Sequence, residues 1–261
     1  MPKIKLNGIE TYYEVQGTGQ PLVLVHGAVG THDIWKPQIE HFSKKYKVIT
    51  YDLRGHGKTE KGEGEYSIGL FADDLNELLK KLNIEKPIIC GLSLGGMIAQ
   101  AYAVKHPDNV KSLVLSDTWA SSSLTMRDKI VKHVLPETVM KLMIRHLRPE
   151  TYLKIITFFF KKRGVKLKKG MTDRWEGTEK EEIVKTLGAV YRFSVQELEK
   201  IVAPTLIIVG ELERKNVFKH AKYMSRQIEN SWIETVPGAI HISNLENVEY
   251  FDELLELIAP L

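Results

Sequence analysis

The chain has 261 residues, 43% hydrophobic and 27% charged, a balance that excludes intrinsic disorder and supplies apolar side chains for one large globular core. Its 37 basic and 33 acidic residues leave a net charge of +4, too small to point to a nucleic-acid partner. Cys90 is the single cysteine, which rules out an internal disulfide or a multi-cysteine metal site; with no export signal and no apolar run of bilayer-spanning length, the expectation is a cytoplasmic protein that is not integral to a membrane.

In chain order, Ile4–Leu6 and Ile9–Val15 flank Asn7-Gly8, a dipeptide that supplies the positive φ angles of a tight hairpin. The apolar runs Pro21–Val25, Lys47–Tyr51, Pro87–Cys90 and Leu113–Leu115 lack alternation, as strands buried on both faces of a parallel sheet do. After Ser67, Ile68, Phe71, Leu75, Leu78, Leu79 and Leu82 recur at helical spacing. Residues 120 to 200 contain no such strand run and carry the basic excess, with 18 Lys and Arg against 10 Asp and Glu between Ser121 and Lys200. The β-α-β alternation then resumes, with strands at Thr205–Val209 and Trp232–Val236 and helices at Phe218–Ile228 and Leu245–Ile258. The expected organisation is an α/β core over residues 1–119 and 201–261, with residues 120–200 inserted as a helical cap over the sheet's carboxyl edge, where open α/β sheets bind ligands.

The chemistry concentrates in Cys90-Gly91-Leu92-Ser93-Leu94-Gly95-Gly96. G-x-S-x-G stands directly after a strand and directly before a helical run, Met97–Val104, so Ser93 occupies a sharp strand-to-helix turn where only glycine at the flanking positions avoids clashes. A helix that begins beneath the hydroxyl turns its positive end toward developing negative charge. A serine hydroxyl still needs a base to remove its proton, and an imidazole titrating near neutrality is suited to that.

At these residues the sequence resembles the α/β-hydrolase superfamily. The resemblance extends to Val25-His26-Gly27-Ala28, similar to the family's His-Gly oxyanion loop, and to Asp52-Leu53-Arg54-Gly55-His56-Gly57-Lys58-Thr59, similar to its D-x-R-G-x-G-x-S stretch. It also includes Gly238-Ala239-Ile240-His241 after the last strand, where the family carries its catalytic histidine. The resemblance implies an eight-stranded, mostly parallel sheet flanked by helices. It also implies Ser93 as nucleophile, His241 as general base, and the backbone amides of Ala28 and Leu94 as the oxyanion hole. For the third member it favours Glu213, three residues beyond Gly210, where the family usually has Asp; Asp117, at the end of the Leu113–Leu115 strand, is the alternative. Serine at position 93 separates the chain from the dehalogenase and epoxide-hydrolase branches, which use aspartate there.

The implied activity is a carboxylesterase acting through an acyl-enzyme on a small-molecule ester, with no cofactor and no metal. Alternatives on the same residues are a thioesterase, lactonase, acyltransferase, carbon–carbon bond hydrolase or cofactor-free peroxidase; from another class, a non-catalytic small-molecule receptor. Gly57-Lys58-Thr59 imitates the end of a phosphate-binding loop but lacks the required earlier glycine, since position 52 is Asp. Asp52, Arg54 and His56 are expected to tie loops together, and Trp35 to be core or pocket wall. Phe158-Phe159-Phe160 beside six basic residues, Lys161 to Lys169, has three readings: cap packing with a solvated basic face, an acyl pocket whose rim attracts anionic, acyl-CoA-like substrates, or a membrane-surface contact.

Overall fold

The computed structural model describes residues 2–146, 151, 179–194 and 197–258, so the Phe158–Lys169 stretch lies outside the described residues. The hairpin forms where Asn7-Gly8 predicts it, with φ of +42° and +91°, and joins β1 (Lys3–Leu6) to β2 (Ile9–Gln16). β2 pairs antiparallel with β4 (Lys47–Tyr51). From there the sheet is parallel through β3 (Pro21–Val25), β5 (Ile88–Leu92), β6 (Ser112–Ser116), β7 (Thr205–Gly210) and β8 (Ser231–Val236), in the order β1-β2-β4-β3-β5-β6-β7-β8.

Unbroken apolar strands are explained by two cores, one on each face. Along β3, Val23 and Val25 enter the core covered by α2 (Ile68–Lys81), α3 (Leu94–Lys105) and, further along, α7 (Lys215–Gln227). Leu22 and Leu24 enter the opposite core with Trp35, with Phe42 of α1 (Lys36–Phe42), and with Phe251 and Leu255 of α9 (Val248–Ile258). Trp35 is fully buried there, 6.2 Å from Phe251 ring to ring.

Helices α4 (Met126–Val134), α5 (Glu137–His146) and α6 (Lys180–Arg192) lie between β6 and β7. Ile144 of α5 and Ile183 and Val184 of α6 bury against Val29, with Ala28 at the edge of that cluster, so these helices stand over the loop that leaves β3. A polar clamp fixes α6 to the core. Tyr66 hydrogen-bonds Glu182, Lys185 donates to the Gly62 carbonyl at 2.9 Å, and Arg192 donates to the Tyr66 carbonyl at 2.8 Å.

Three helix boundaries differ from the sequence expectation. α3 starts at Leu94, not Met97: its first turn contains Gly95-Gly96, weak helix formers that hide this turn from a reading by propensity. α7 starts at Lys215, three residues before Phe218. The closing segment breaks at Asn247 (φ −143°) into α8 (Ser243–Glu246) and α9.

Candidate active site

Ser93 is positioned by sterics before chemistry. A Cβ on Gly91 would lie 2.6 Å from the Gly96 nitrogen, and one on Gly95 would lie against the Val25 carbonyl and 2.9 Å from the His26 oxygen. The glycines therefore let β5, α3 and the end of β3 converge, and the turn between them throws Ser93 into φ +53°, ψ −112°. Neighbouring groups hold that unfavourable conformation. The Ser93 N–H donates to the Ser116 carbonyl at 2.8 Å, and the Ser93 carbonyl accepts from Thr118 Oγ1 at 2.6 Å and from the amides of Gly96 and Met97 at 3.0 and 3.2 Å.

His241 arrives from the loop after β8. The Leu212 N–H donates to the Ala239 carbonyl at 2.8 Å, the Glu211 N–H to the Val236 carbonyl at 3.0 Å, and the Gly238 N–H to Glu211 Oε2 at 2.9 Å. Glu246 Oε2 accepts three successive N–H groups, from Ile240, His241 and Ile242, at 2.8, 3.1 and 3.0 Å. The ring so held places Nε2 3.0 Å from Ser93 Oγ and Nδ1 2.5 Å from Glu213 Oε1. Burial disfavours the imidazolium, but the hydrogen bond and charge of Glu213, with the charges of Asp117 and Glu246, outweigh it and raise the His241 pKa. Burial likewise opposes the Glu213 carboxylate, yet His241 and the Arg214 amide hold that carboxyl below the ordinary glutamate range.

Asp117, the alternative acid, is turned away from this role. Its Oδ1 accepts the Gly210 N–H at 2.9 Å; its Oδ2 accepts the Ser116 hydroxyl at 3.0 Å and the Ser243 N–H at 3.3 Å. It ties the ends of β6 and β7 to the start of α8, and its hydrogen bonds go to backbone and to a neighbouring serine instead of to the ring. Burial pushes this carboxyl up.

The loop after β3 faces Ser93 from the other side, where a Cβ on Gly27 would lie 3.4 Å from Ser93 Cβ. His26 fixes it. Nδ1 lies 2.8 Å from the Gly27 carbonyl and Nε2 lies 3.0 Å from the Leu53 N–H, which requires a neutral ring carrying its proton on Nδ1. Burial, with His56 nearby, lowers the His26 pKa to about 3, consistent with that tautomer. Among the described residues, the N–H groups of Ala28 and Leu94 have no protein acceptor.

The remaining motif residues form a brace behind this loop. Asp52 Oδ1 accepts from the backbone N–H and Nδ1 of His32, both at 2.7 Å, and Oδ2 accepts the Lys58 N–H at 2.8 Å. Arg54 makes a two-pronged contact with Asp74 at 2.7 and 2.8 Å. His56 Nδ1 lies 2.9 Å from the Arg54 carbonyl. Three contributors had no signal in the motif reading: His26 as a loop tie, Thr118, and Trp119, whose ring stands 6.4 Å from His241. Among the described residues, no three His, Cys, Asp or Glu side chains cluster as a metal ion would need.

Comparisons with known proteins agree with this fold. A family profile described as the alpha/beta hydrolase fold matches residues 20–137. 3-Oxoadipate enol-lactonase 2 of Acinetobacter baylyi is 26% identical over 250 residues, covering 92% of this chain and 88% of the relative. An esterase from Exiguobacterium antarcticum superposes with a TM-score of 0.85 at 25% identity, covering 98% of this chain and 97% of its own. The enol-lactonase of Burkholderia xenovorans LB400 shares the fold over the whole of both chains, with a TM-score of 0.85 at 24% identity. The profile, the relatives and the sheet order together place the chain among proteins of the alpha/beta hydrolase fold.

Proposed function

We propose that the protein is a serine hydrolase that cleaves carboxylic esters, cyclic esters among them, through an acyl-enzyme on Ser93. The observation that carries this reading is the hydrogen-bonded line from Ser93 Oγ through both nitrogens of His241 to Glu213. Glu213 takes the proton-bearing Nδ1, which leaves Nε2 with a lone pair aimed at the serine hydroxyl. As Oγ attacks the acyl carbon, its proton passes to Nε2, and Glu213 stabilises the imidazolium. Negative charge moves onto the carbonyl oxygen, where the amides of Ala28 and Leu94 are the donors; one such donor is worth about 3 kcal/mol in related sites. His241 then returns the proton to the departing alcohol oxygen. Water, deprotonated by the same ring, attacks the acyl group and frees Ser93.

The names of the relatives support an ester substrate: one is called an enol-lactonase and one an esterase. Turnover of p-nitrophenyl acetate by the wild type and its loss in Ser93→Ala tests the reading. Mass spectrometry after treatment with a fluorophosphonate should place the label on Ser93. A wild type that neither turns over esters or lactones nor takes the label contradicts the proposal and favours a receptor.

A further inference from the structure

Amphipathic helices normally turn their apolar side toward the core, and α4 does the reverse. It buries none of its residues. Met126, Ile130 and Val134 form an i, i+4, i+8 stripe and are 72%, 55% and 74% exposed. The polar side faces inward: Asp128 accepts from Asn216 Nδ2 at 2.7 Å and pairs with His220 Nε2 at 3.1 Å, which ties α4 to α7. Leu142 and Met143 of α5 are also exposed, and seven of the eleven exposed large hydrophobic side chains among the described residues lie between positions 126 and 143. Scattered exposed hydrophobics are ordinary; a concentration of this kind on two consecutive helices marks a surface that meets an apolar phase.

The exposed charge on α4 and α7 is of one sign, while at the edge of α5 Lys141 and Arg145 are paired with Glu65 and Glu181. Arg127 and Lys129 are exposed on α4, whose one acid, Asp128, is held inward. On α7, Lys215, Lys219, Lys222 and Arg226 are exposed at spacings of four, three and four residues. They lie on the side opposite the buried Val217, Ala221 and Met224. That helix contains no acid, and none of these four cations makes an ion pair among the described residues.

We infer that the outer faces of α4 and α5, with the basic side of α7, form a docking surface for a lipid bilayer bearing anionic headgroups. Apolar side chains enter the headgroup boundary while the cations meet the negative surface. A polyanion in water would match the cations and leave the apolar stripe without a partner, so charge and apolarity together select the lipid surface. The contact is peripheral, since no helix among the described residues is long and apolar enough to cross a membrane. It does not depend on the hydrolytic reading.

Co-sedimentation of the full chain with vesicles tests the inference, using phosphatidylcholine alone and phosphatidylcholine mixed with phosphatidylserine. The wild type should bind the mixed vesicles, release from them as salt rises, and bind the neutral ones weakly. Ile130→Asp with Val134→Asp should lower binding roughly tenfold or more, with thermal melting unchanged. Neutralising Lys215, Lys219, Lys222 and Arg226 to Gln should remove about fivefold per cation, and only on the anionic vesicles. Absence of wild-type binding, equal binding to both vesicle types, or full binding by the double Asp variant would each overturn it. So would a dimer, seen by sedimentation equilibrium, that the double Asp variant dissociates, because the face would then belong to a second copy.

Discussion

Glu246 and His241 are joined through the backbone, not through the imidazole: Glu246 Oε2 accepts the His241 N–H at 3.1 Å together with those of Ile240 and Ile242. One carboxylate oxygen thereby fixes the loop that aims the ring at Ser93. Removing it frees three amides at once. In Glu246→Ala the loop should loosen, and misplacement on the scale of an ångström lowers kcat by up to about 100-fold. Glu246→Gln keeps an acceptor oxygen in place and should recover most of the activity. Steady-state kinetics on a p-nitrophenyl ester reads both, with kcat expected to move more than KM.

The two acids should separate cleanly by phenotype. Glu213→Gln keeps the shape but loses the charge and the correct tautomer at His241, and its kcat should fall by about 10⁴, as in the general triad template. Asp117→Asn should keep a far larger share of kcat and melt earlier, because its carboxylate orders the Gly210 and Ser243 amides. The pair of variants is compared by kcat and by thermal denaturation; a larger kcat loss in Asp117→Asn would reverse the assignment.

What was readable in advance divides by how local its cause is. The flanking glycines of Ser93 are dictated by contacts within a strand-turn-helix unit, so their spacing survives in the sequence. The same holds for Asn7-Gly8 and the apolar strands. Choosing between Glu213 and Asp117 depended on the path of two loops relative to one ring, which residue type alone does not encode. Glu246 and His26 act on peptide groups, and any sequence offers peptide groups, so their partners left no trace. The outward apolar side of α4 was hidden for a different reason. Its helical periodicity reads as a buried face, and only the position of Asp128 against α7 shows which side points in.

The raised His241 pKa sets the acid limb of the pH profile. The base must be neutral, so kcat/KM should fall as pH drops through a value above the ordinary imidazole pKa of about 6.5. In Glu213→Gln the imidazolium loses its main stabiliser, and the limb should move toward lower pH while the plateau drops. His26 stays neutral across this range because its pKa is about 3, and it contributes nothing to the limb. Residual kcat/KM measured from about pH 5 to 9 checks the shift; a limb that stays in place would detach Glu213 from the ring's titration.

Gly95 and Gly69 are both helical glycines, and they should respond to alanine with opposite signs. At Gly95 the new Cβ meets backbone, the Val25 carbonyl and the His26 oxygen 2.9 Å away, so α3 must retreat from β3 or the strand must bend. Rigid backbone cannot step aside as a side chain does, and Gly95→Ala should cost about 3 kcal/mol or more, at the upper end of overpacking effects. At Gly69, in α2, the nearest atoms are Ser67 Oγ at 3.8 Å and Lys105 Nζ at 3.9 Å, both on side chains. Alanine there lowers the entropy of the unfolded chain and improves helix propensity, for a gain of about 0.5–1 kcal/mol. Thermal denaturation should place Gly95→Ala well below the wild type and Gly69→Ala about 1–4 °C above it. A Gly95→Ala protein that melts with the wild type would mean that the corner presenting Ser93 is looser than its glycine packing indicates.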